Sequence, residues 1–168
     1  MRQILVPLTL LLLCASALCN AQVATPRVLA NIQVRDLQGQ VLDADALRMP
    51  RNWVLVILDS ELPSARNLLV TLTAKETVWS DNVSVLLLGE SPQELLKEIA
   101  ANPKLANVRL LTANDKAVLQ VLELPGVPAV LGIRENQQIG WVRSGVPADA
   151  RRLDSLLTGW VQRVAAPR

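Results

Sequence analysis

The first candidates for chemistry are the polar side chains of one short turn. The segment "DSELPSAR" (residues 59–66) directly follows the apolar run "WVLVIL" (residues 53–58). Asp59 or Glu61 could act as a general acid or base, and covalent catalysis by serine requires a base that activates its hydroxyl. The base that most often activates serine is histidine, and the sequence contains none. The turn therefore lies where a strand ends but offers no obvious nucleophile.

The residue types that are missing restrict the function further. The sequence has no His, Tyr or Phe, and its two cysteines, Cys14 and Cys19, both lie near the N-terminus. Neutral-pH acid–base and covalent catalysis depend mostly on His and Cys. A metal site would need oxygen ligands alone, and no carboxylate series has calcium-loop spacing. We therefore expect no enzymatic activity, no metal and no cofactor.

Residues 1–21 have the organisation of a secretory signal peptide. Met1-Arg2 gives a positive start, residues 4–13 are almost wholly apolar, and Cys19 and Ala21 are small residues at the −3 and −1 positions. Cleavage after Ala21 predicts a periplasmic or secreted protein of residues 22–168. The rival hypothesis, a lipoprotein anchored through Cys19, is less favoured because Leu18 is bulky.

The predicted export segment also affects the charge and the membrane topology. Its apolar run is too short to span a bilayer comfortably, and no longer apolar run follows. Its removal takes away both cysteines and Arg2, which leaves 16 basic residues against 15 acidic ones. A nearly neutral chain argues against a nucleic-acid partner, which would require a basic face. We expect no transmembrane segment in the mature chain.

The remaining sequence alternates between strand and helix patterns. Residues 31–47 predict a short strand pair or a strand-like lead-in, and residues 52–59 predict a central strand buried on both faces. Helix patterns cover residues 63–77, residues 91–102 with Ser91 as the cap, residues 114–124, and the amphipathic C-terminal segment. Further strands are predicted at residues 83–89, 108–112, 128–134 and 138–143, the last two as a hairpin. This order predicts an α/β fold with a mixed central sheet flanked by helices.

The four tryptophans divide into two predicted groups. Trp53 and Trp160 lie in apolar patterns typical of a core. Trp79 and Trp141 are expected to be half exposed, where tryptophan is a modest indicator of an interface.

The element order, together with Val127-Pro128 before the penultimate strand, resembles the thioredoxin-like superfamily, in particular its exported TlpA-like branch. The resemblance covers about residues 32–164, so residues 22–168 are predicted to form a single domain. In that family the strand corresponding to "WVLVIL" runs into Cys-Pro-x-Cys at the start of a helix. Here the corresponding residues are Leu62-Pro63-Ser64-Ala65. The family's buried acid is replaced by Val56.

Both reactive sulfurs are therefore absent from the position that the resemblance identifies. Thiol–disulfide exchange needs one thiolate to attack and a second thiol to resolve the mixed disulfide. The resemblance also implies a cis bond at Pro128, facing the Leu62 turn, with neighbouring backbone that pairs with an extended segment of a partner. From this we predict a redox-inactive protein-binding, assembly or scaffold factor of the bacterial envelope.

The predicted partner-binding residues are Leu62, Pro63, Ser64, Ala65, Val127 and Pro128. With Pro63 at the first helical position, Leu62 would be the N-cap, where apolar residues rank poorly. We expect Leu62, Pro63, Val127 and Pro128 to form a small exposed apolar patch with backbone donors beside it. The partner would be another envelope protein or an extended peptide segment.

Several alternatives remain open from the sequence. Leu62 and Ala65 could be remnants of a lost redox site, with Ala65 simply packed in the helix. Asp59 or Glu61 could serve a non-redox enzyme that uses a cleft between Leu62 and Pro128, although both are more typical of loop and cap residues. The chain could also be an accessory protein of a thiol–disulfide pathway without thiols of its own, or a structural subunit of a larger assembly.

Overall fold

A computed structural model describes residues 27–29, 32–74, 79–113 and 117–163. The predicted signal peptide, both cysteines and the predicted start of the third helix lie outside these residues. The strands are β1 (Val34–Arg35), β2 (Val41–Leu42), β3 (Trp53–Asp59), β4 (Val83–Leu88), β5 (Arg109–Ala113), β6 (Ala129–Ile133) and β7 (Ile139–Ser144). The α-helices are α1 (Pro63–Thr73), α2 (Gln93–Ala100), α3 (Ala117–Val121) and α4 (Ala150–Val161).

The seven strands form one mixed sheet in the order β2-β1-β5-β4-β3-β6-β7. Strands β3, β4 and β5 are parallel, and the helices α1 and α2 provide the crossovers between them. Strand β6 runs antiparallel to β3, and β7 forms the predicted hairpin with β6. The α/β fold with a mixed sheet flanked by helices is therefore confirmed.

Strand β3 is central because both of its faces are covered. All seven of its residues are buried. Val54, Val56 and Leu58 pack in the core shared with α1, α2 and α4. Trp53, Leu55 and Ile57 alternate to the opposite face and pack in the core shared with α3. This two-sided burial explains the continuous apolar run in the sequence.

Helix α2 begins differently from the prediction. Its N-cap is Pro92 (φ −73°, ψ −1°), and no side chain caps the helix. The carbonyl of Pro92 accepts the first helical hydrogen bond, from Leu96 N–H at 2.9 Å. Ser91 as the cap was therefore wrong, because the ring of Pro92 already fixes a helix-like φ. Each described helix is too short to cross a membrane.

The tryptophans lie towards the end of the sheet where β3 begins. Trp53 and Trp160 are buried as predicted, and Trp160 Nε1 donates to the carbonyl of Trp53 at 3.0 Å. Trp141 is partly buried, pairs with Gly132 near the end of β6 and meets Trp160 edge to face. The prediction for Trp79 was wrong, since its ring is fully buried and its Nε1 donates to Asp154 Oδ1 at 3.1 Å.

Candidate functional site

The Leu62 turn and the Val127-Pro128 segment lie at the same end of the sheet. In the antiparallel pairing of β3 with β6, Ile57 lies opposite Ala129. The turn that contains Leu62 leaves β3 just after this point, and Pro128 directly precedes β6. The strand register therefore places the two predicted segments on neighbouring strands, as the resemblance implied.

Polar groups within the turn hold it against the sheet. Asp59 Oδ1 accepts from Glu61 N–H at 3.1 Å, and the Asp59 carbonyl accepts from Leu62 N–H at 3.1 Å. Ser60 donates from both its backbone N–H and its hydroxyl to the carbonyl of Leu88, each at 2.9 Å. These contacts fix the direction in which the chain enters α1.

Leu62 occupies the N-cap of α1, and Pro63 follows at the first helical position. Leu62 has an extended backbone (φ −97°, ψ 134°), and no side chain caps the helix. Its carbonyl accepts from Ala65 N–H at 3.0 Å, whereas Ser64 N–H has no hydrogen-bond partner among the described residues. Because the Leu62 side chain is 41% exposed, the helix starts with an apolar side chain beside an open backbone donor.

The peptide bond between Val127 and Pro128 is cis, as expected from the resemblance. The carbonyl of Pro128 accepts from Gly145 N–H at 2.8 Å, which ties the start of β6 to the end of the hairpin. Val127 is half-buried against the core shared with α3, and within the described ranges its backbone N–H and carbonyl make no hydrogen bond. Two backbone groups beside the Leu62 turn thus have no hydrogen-bond partner in the described part of the chain.

The exposed patch is smaller than predicted. Leu62 and Pro63 are exposed and Ser64 is half-buried, whereas Ala65 (1% exposed) and Pro128 are buried. Ala65 faces the sheet from the first turn of α1, and Pro128 lies in line with the buried strand β6. Neither side chain can therefore form part of an exposed apolar patch. We call Leu62, Pro63, Ser64 and Val127 the Leu62 surface.

One exposed apolar neighbour of this region was missed by the sequence reasoning. Val146 is 39% exposed and follows Gly145, the residue whose N–H binds the carbonyl of Pro128. No local pattern could have indicated it, since its position depends on the pairing of β6 with β7.

Asp59 and Glu61, the two acidic residues of the turn, differ in their exposure to solvent. Asp59 is only 3% exposed, and its Oδ1 accepts the Glu61 N–H of the turn. The Glu61 side chain is exposed to solvent. Val56, at the position where the resemblance expects a buried acid, lies in the core shared with α1, α2 and α4. Within the described part of the chain, no three metal-ligating side chains come together.

No protein-family model matches this sequence, and no curated protein matches it. Solved structures do match the fold. A protein assigned as thiol:disulfide interchange protein DsbE from Chlorobium tepidum has a TM-score of 0.61 and 13% identity, with 81% of this chain and 96% of that chain covered. A protein assigned as a thioredoxin from Neisseria meningitidis has a TM-score of 0.58 and 16% identity, with 80% and 91% covered.

StoA from Bacillus subtilis gives a TM-score of 0.52 at 16% identity, with 80% of this chain and 98% of that chain covered. The predicted thioredoxin-like fold is therefore confirmed. At sequence identities this low, structural similarity indicates a shared fold but not a shared activity.

Proposed function

We propose that this chain, which has the thioredoxin-like fold, is an exported, redox-inactive assembly or scaffold factor that binds an extended segment of another envelope protein. One observation carries the proposal: an exposed apolar residue, Leu62, occupies a helix N-cap where an acceptor side chain is preferred. An apolar N-cap typically costs about 1 kcal/mol of stability relative to a good cap. A contact with a partner would give this unfavourable residue a function.

The available backbone groups suit an extended segment. Ser64 N–H can donate to a partner's main-chain carbonyl, while Val127 can offer both a donor and an acceptor. An added strand uses such main-chain pairs for affinity, and side-chain contacts provide the selectivity. Leu62 would cover one apolar side chain of the segment, as hydrophobic contacts do at the centre of interfaces.

The absence of thiols in the relevant turn supports a role without redox chemistry. Leu62 and Ala65 stand where a thiol exchange mechanism would need its two sulfurs. Cys14 and Cys19, the two cysteines of the sequence, lie in the predicted signal peptide. The interchange activity named for the Chlorobium tepidum protein is therefore not carried over to this chain.

The turn geometry favours binding over the enzymatic alternative. The carboxylate of Asp59 takes part in the turn through Glu61 N–H, and the residue is buried. If Asp59 or Glu61 were an acid or base, an Asp59→Asn, Glu61→Gln double variant would lose activity towards a substrate. We expect no such activity to be found.

A photo-crosslinking amino acid at Leu62, expressed in cells, tests the proposal directly. We expect it to capture a defined envelope protein. The matched control position is Gln120, an exposed residue of α3 on the opposite face of the sheet. Equal capture from both positions would contradict the proposed site.

A second experiment addresses the redox part of the proposal. The purified exported protein is assayed for insulin reduction and for mixed-disulfide exchange with a model disulfide. We expect rates equal to those of the buffer, because a thiolate is required for attack. Catalysed exchange would show that the protein is not redox-inactive.

A further inference from the structure

Four carboxylates lie in the turn before α1, next to Gly89 and along α2, and we call them the acidic border: Glu61, Glu90, Glu94 and Glu98. The Glu61 carboxylate lies 3.4 Å from the position that a Gly89 Cβ would occupy, which places it against the residue preceding Glu90. Arg66, one helical turn after Leu62, contacts Glu98 at 2.9 Å and Glu94 at 3.6 Å. The border thus runs from the turn before α1 along α2.

Among the residues that the structure describes, Arg66 is the cation paired with this border. The Arg66 guanidinium is shared between two of the four carboxylates, which leaves a net charge of −3 for the group. Lys97 lines a different groove, on the side of α2 that faces the β1–β2 hairpin. Lys104 lies at the opposite end of α1, where its Nζ donates to the carbonyl of Thr73 at 2.7 Å. The sequence as a whole is positive by two charges, so this surface has the opposite sign.

The Ser64 N–H and the acidic border favour different chemical groups of a partner. The open Ser64 N–H at the start of α1 favours an acceptor, and an isolated helix start would also favour an anion. The acidic border repels an anion but tolerates a neutral main-chain carbonyl. It also attracts cations over roughly a Debye length, about 8–10 Å at physiological salt.

We propose that the segment bound at the Leu62 surface is extended, with an apolar side chain over Leu62 and lysine or arginine side chains facing the acidic border. This inference rests on the proposed function and adds the chemistry of the partner. Charge complementarity of this kind chiefly raises association rates and excludes wrong partners. An acidic segment of the same shape is therefore discriminated against.

Three blocked peptides of equal length test the inference. Each has a central leucine, and the flanking residues are lysine, glutamate or serine. Binding to the purified exported protein is measured by fluorescence anisotropy, and the contacted residues are identified from amide shifts of Ser64 and Val127. We expect the lysine peptide to bind at least about tenfold more tightly than the glutamate peptide.

Salt and a matched pair of variants identify the surface responsible. Raising the salt from about 50 mM to about 300 mM should weaken binding of the lysine peptide severalfold. Glu90→Lys should weaken it as well. Glu135→Lys makes the same change in an exposed turn beyond the other end of β6, and should have little effect.

Several results would overturn the inference. The first is that the glutamate or serine peptide binds as tightly as the lysine peptide, or that the lysine peptide does not bind at millimolar concentration. The others are an affinity for the lysine peptide that does not change with salt, and equal effects of Glu90→Lys and Glu135→Lys on that affinity. If the crosslinker at Leu62 still captures one defined protein, the proposed function stands while the basic character of the segment is refuted. Equal crosslinking at Leu62 and Gln120 would instead refute the docking site itself.

Discussion

Gly89 and Ser60 lie so close together that a side chain on the glycine has no room. A Cβ atom at Gly89 would lie 2.6 Å from Ser60 Oγ, and Gly89 has φ +116°, a region that other residues rarely adopt. The same serine donates twice to the carbonyl of Leu88. This contact holds the Leu62 turn against the end of β4.

Replacing Gly89 with alanine should therefore destabilise the fold. We expect the free energy of unfolding to fall by about 1–3 kcal/mol, from backbone strain and displacement of Ser60. Urea denaturation measures the change. Gly159→Ala is the matched control, since its Cβ would meet nothing within 4 Å in α4 and should stabilise the protein by about 0.5–1 kcal/mol. Similar effects of both changes would contradict the packing described.

A better N-cap at Leu62 should separate stability from binding. Leu62→Ser supplies a side-chain acceptor and should raise the free energy of unfolding by about 1 kcal/mol. It should also weaken binding of the captured partner, because the apolar contact is lost. Asp149→Ala is the converse control, because it removes the side chain that caps α4 by accepting from the N–H groups of Arg151 and Arg152. We expect it to lower the free energy of unfolding by about 1 kcal/mol. Unchanged partner affinity in Leu62→Ser would argue that Leu62 is not a contact.

Two cysteines should form a reversible disulfide at the start of α1. Ala65 N–H donates to the Leu62 carbonyl at 3.0 Å, so these positions face each other across one turn. A disulfide joins Cα atoms roughly 4.4–6.8 Å apart, a span we expect here. The Leu62→Cys, Ala65→Cys double variant should lose both free thiols when glutathione disulfide accepts their two electrons. It should also catalyse insulin reduction when dithiothreitol supplies the electrons. Either single variant has one thiol, so it should form only a mixed disulfide with glutathione and should not catalyse insulin reduction. An inert double variant would mean that more than the sulfurs has been lost.

We expect the Asp59 side chain to stabilise the fold by accepting a hydrogen bond within the turn. Asp59→Ala removes the acceptor of Glu61 N–H at a buried position, and we expect a loss of about 1–3 kcal/mol of unfolding free energy. Glu61→Ala changes an exposed side chain and should shift stability by less than about 0.5 kcal/mol. A loss from Glu61→Ala as large as that from Asp59→Ala would show that the turn depends on a different contact.

The sequence predicted those features that depend on local patterns. The apolar run of β3 and Pro63 at the start of α1 were found because strand burial and helix starts have local signatures. The burial of Pro128 and Trp79 could not be predicted, since it depends on β6 packing between its neighbours and on Asp154 reaching Trp79 from α4. The acidic border likewise requires residues from two segments, joined by the contacts of Arg66.

The placement of the tryptophans determines what can be seen by optical spectroscopy. Since the chain has no tyrosine or phenylalanine, its near-ultraviolet absorbance and intrinsic fluorescence come from four indoles. All of them lie towards the end of the sheet where β3 begins, and the Leu62 surface lies at the other end. Intrinsic emission will therefore report unfolding but stay silent when a segment docks beside Leu62, so binding must be followed with a label on the ligand.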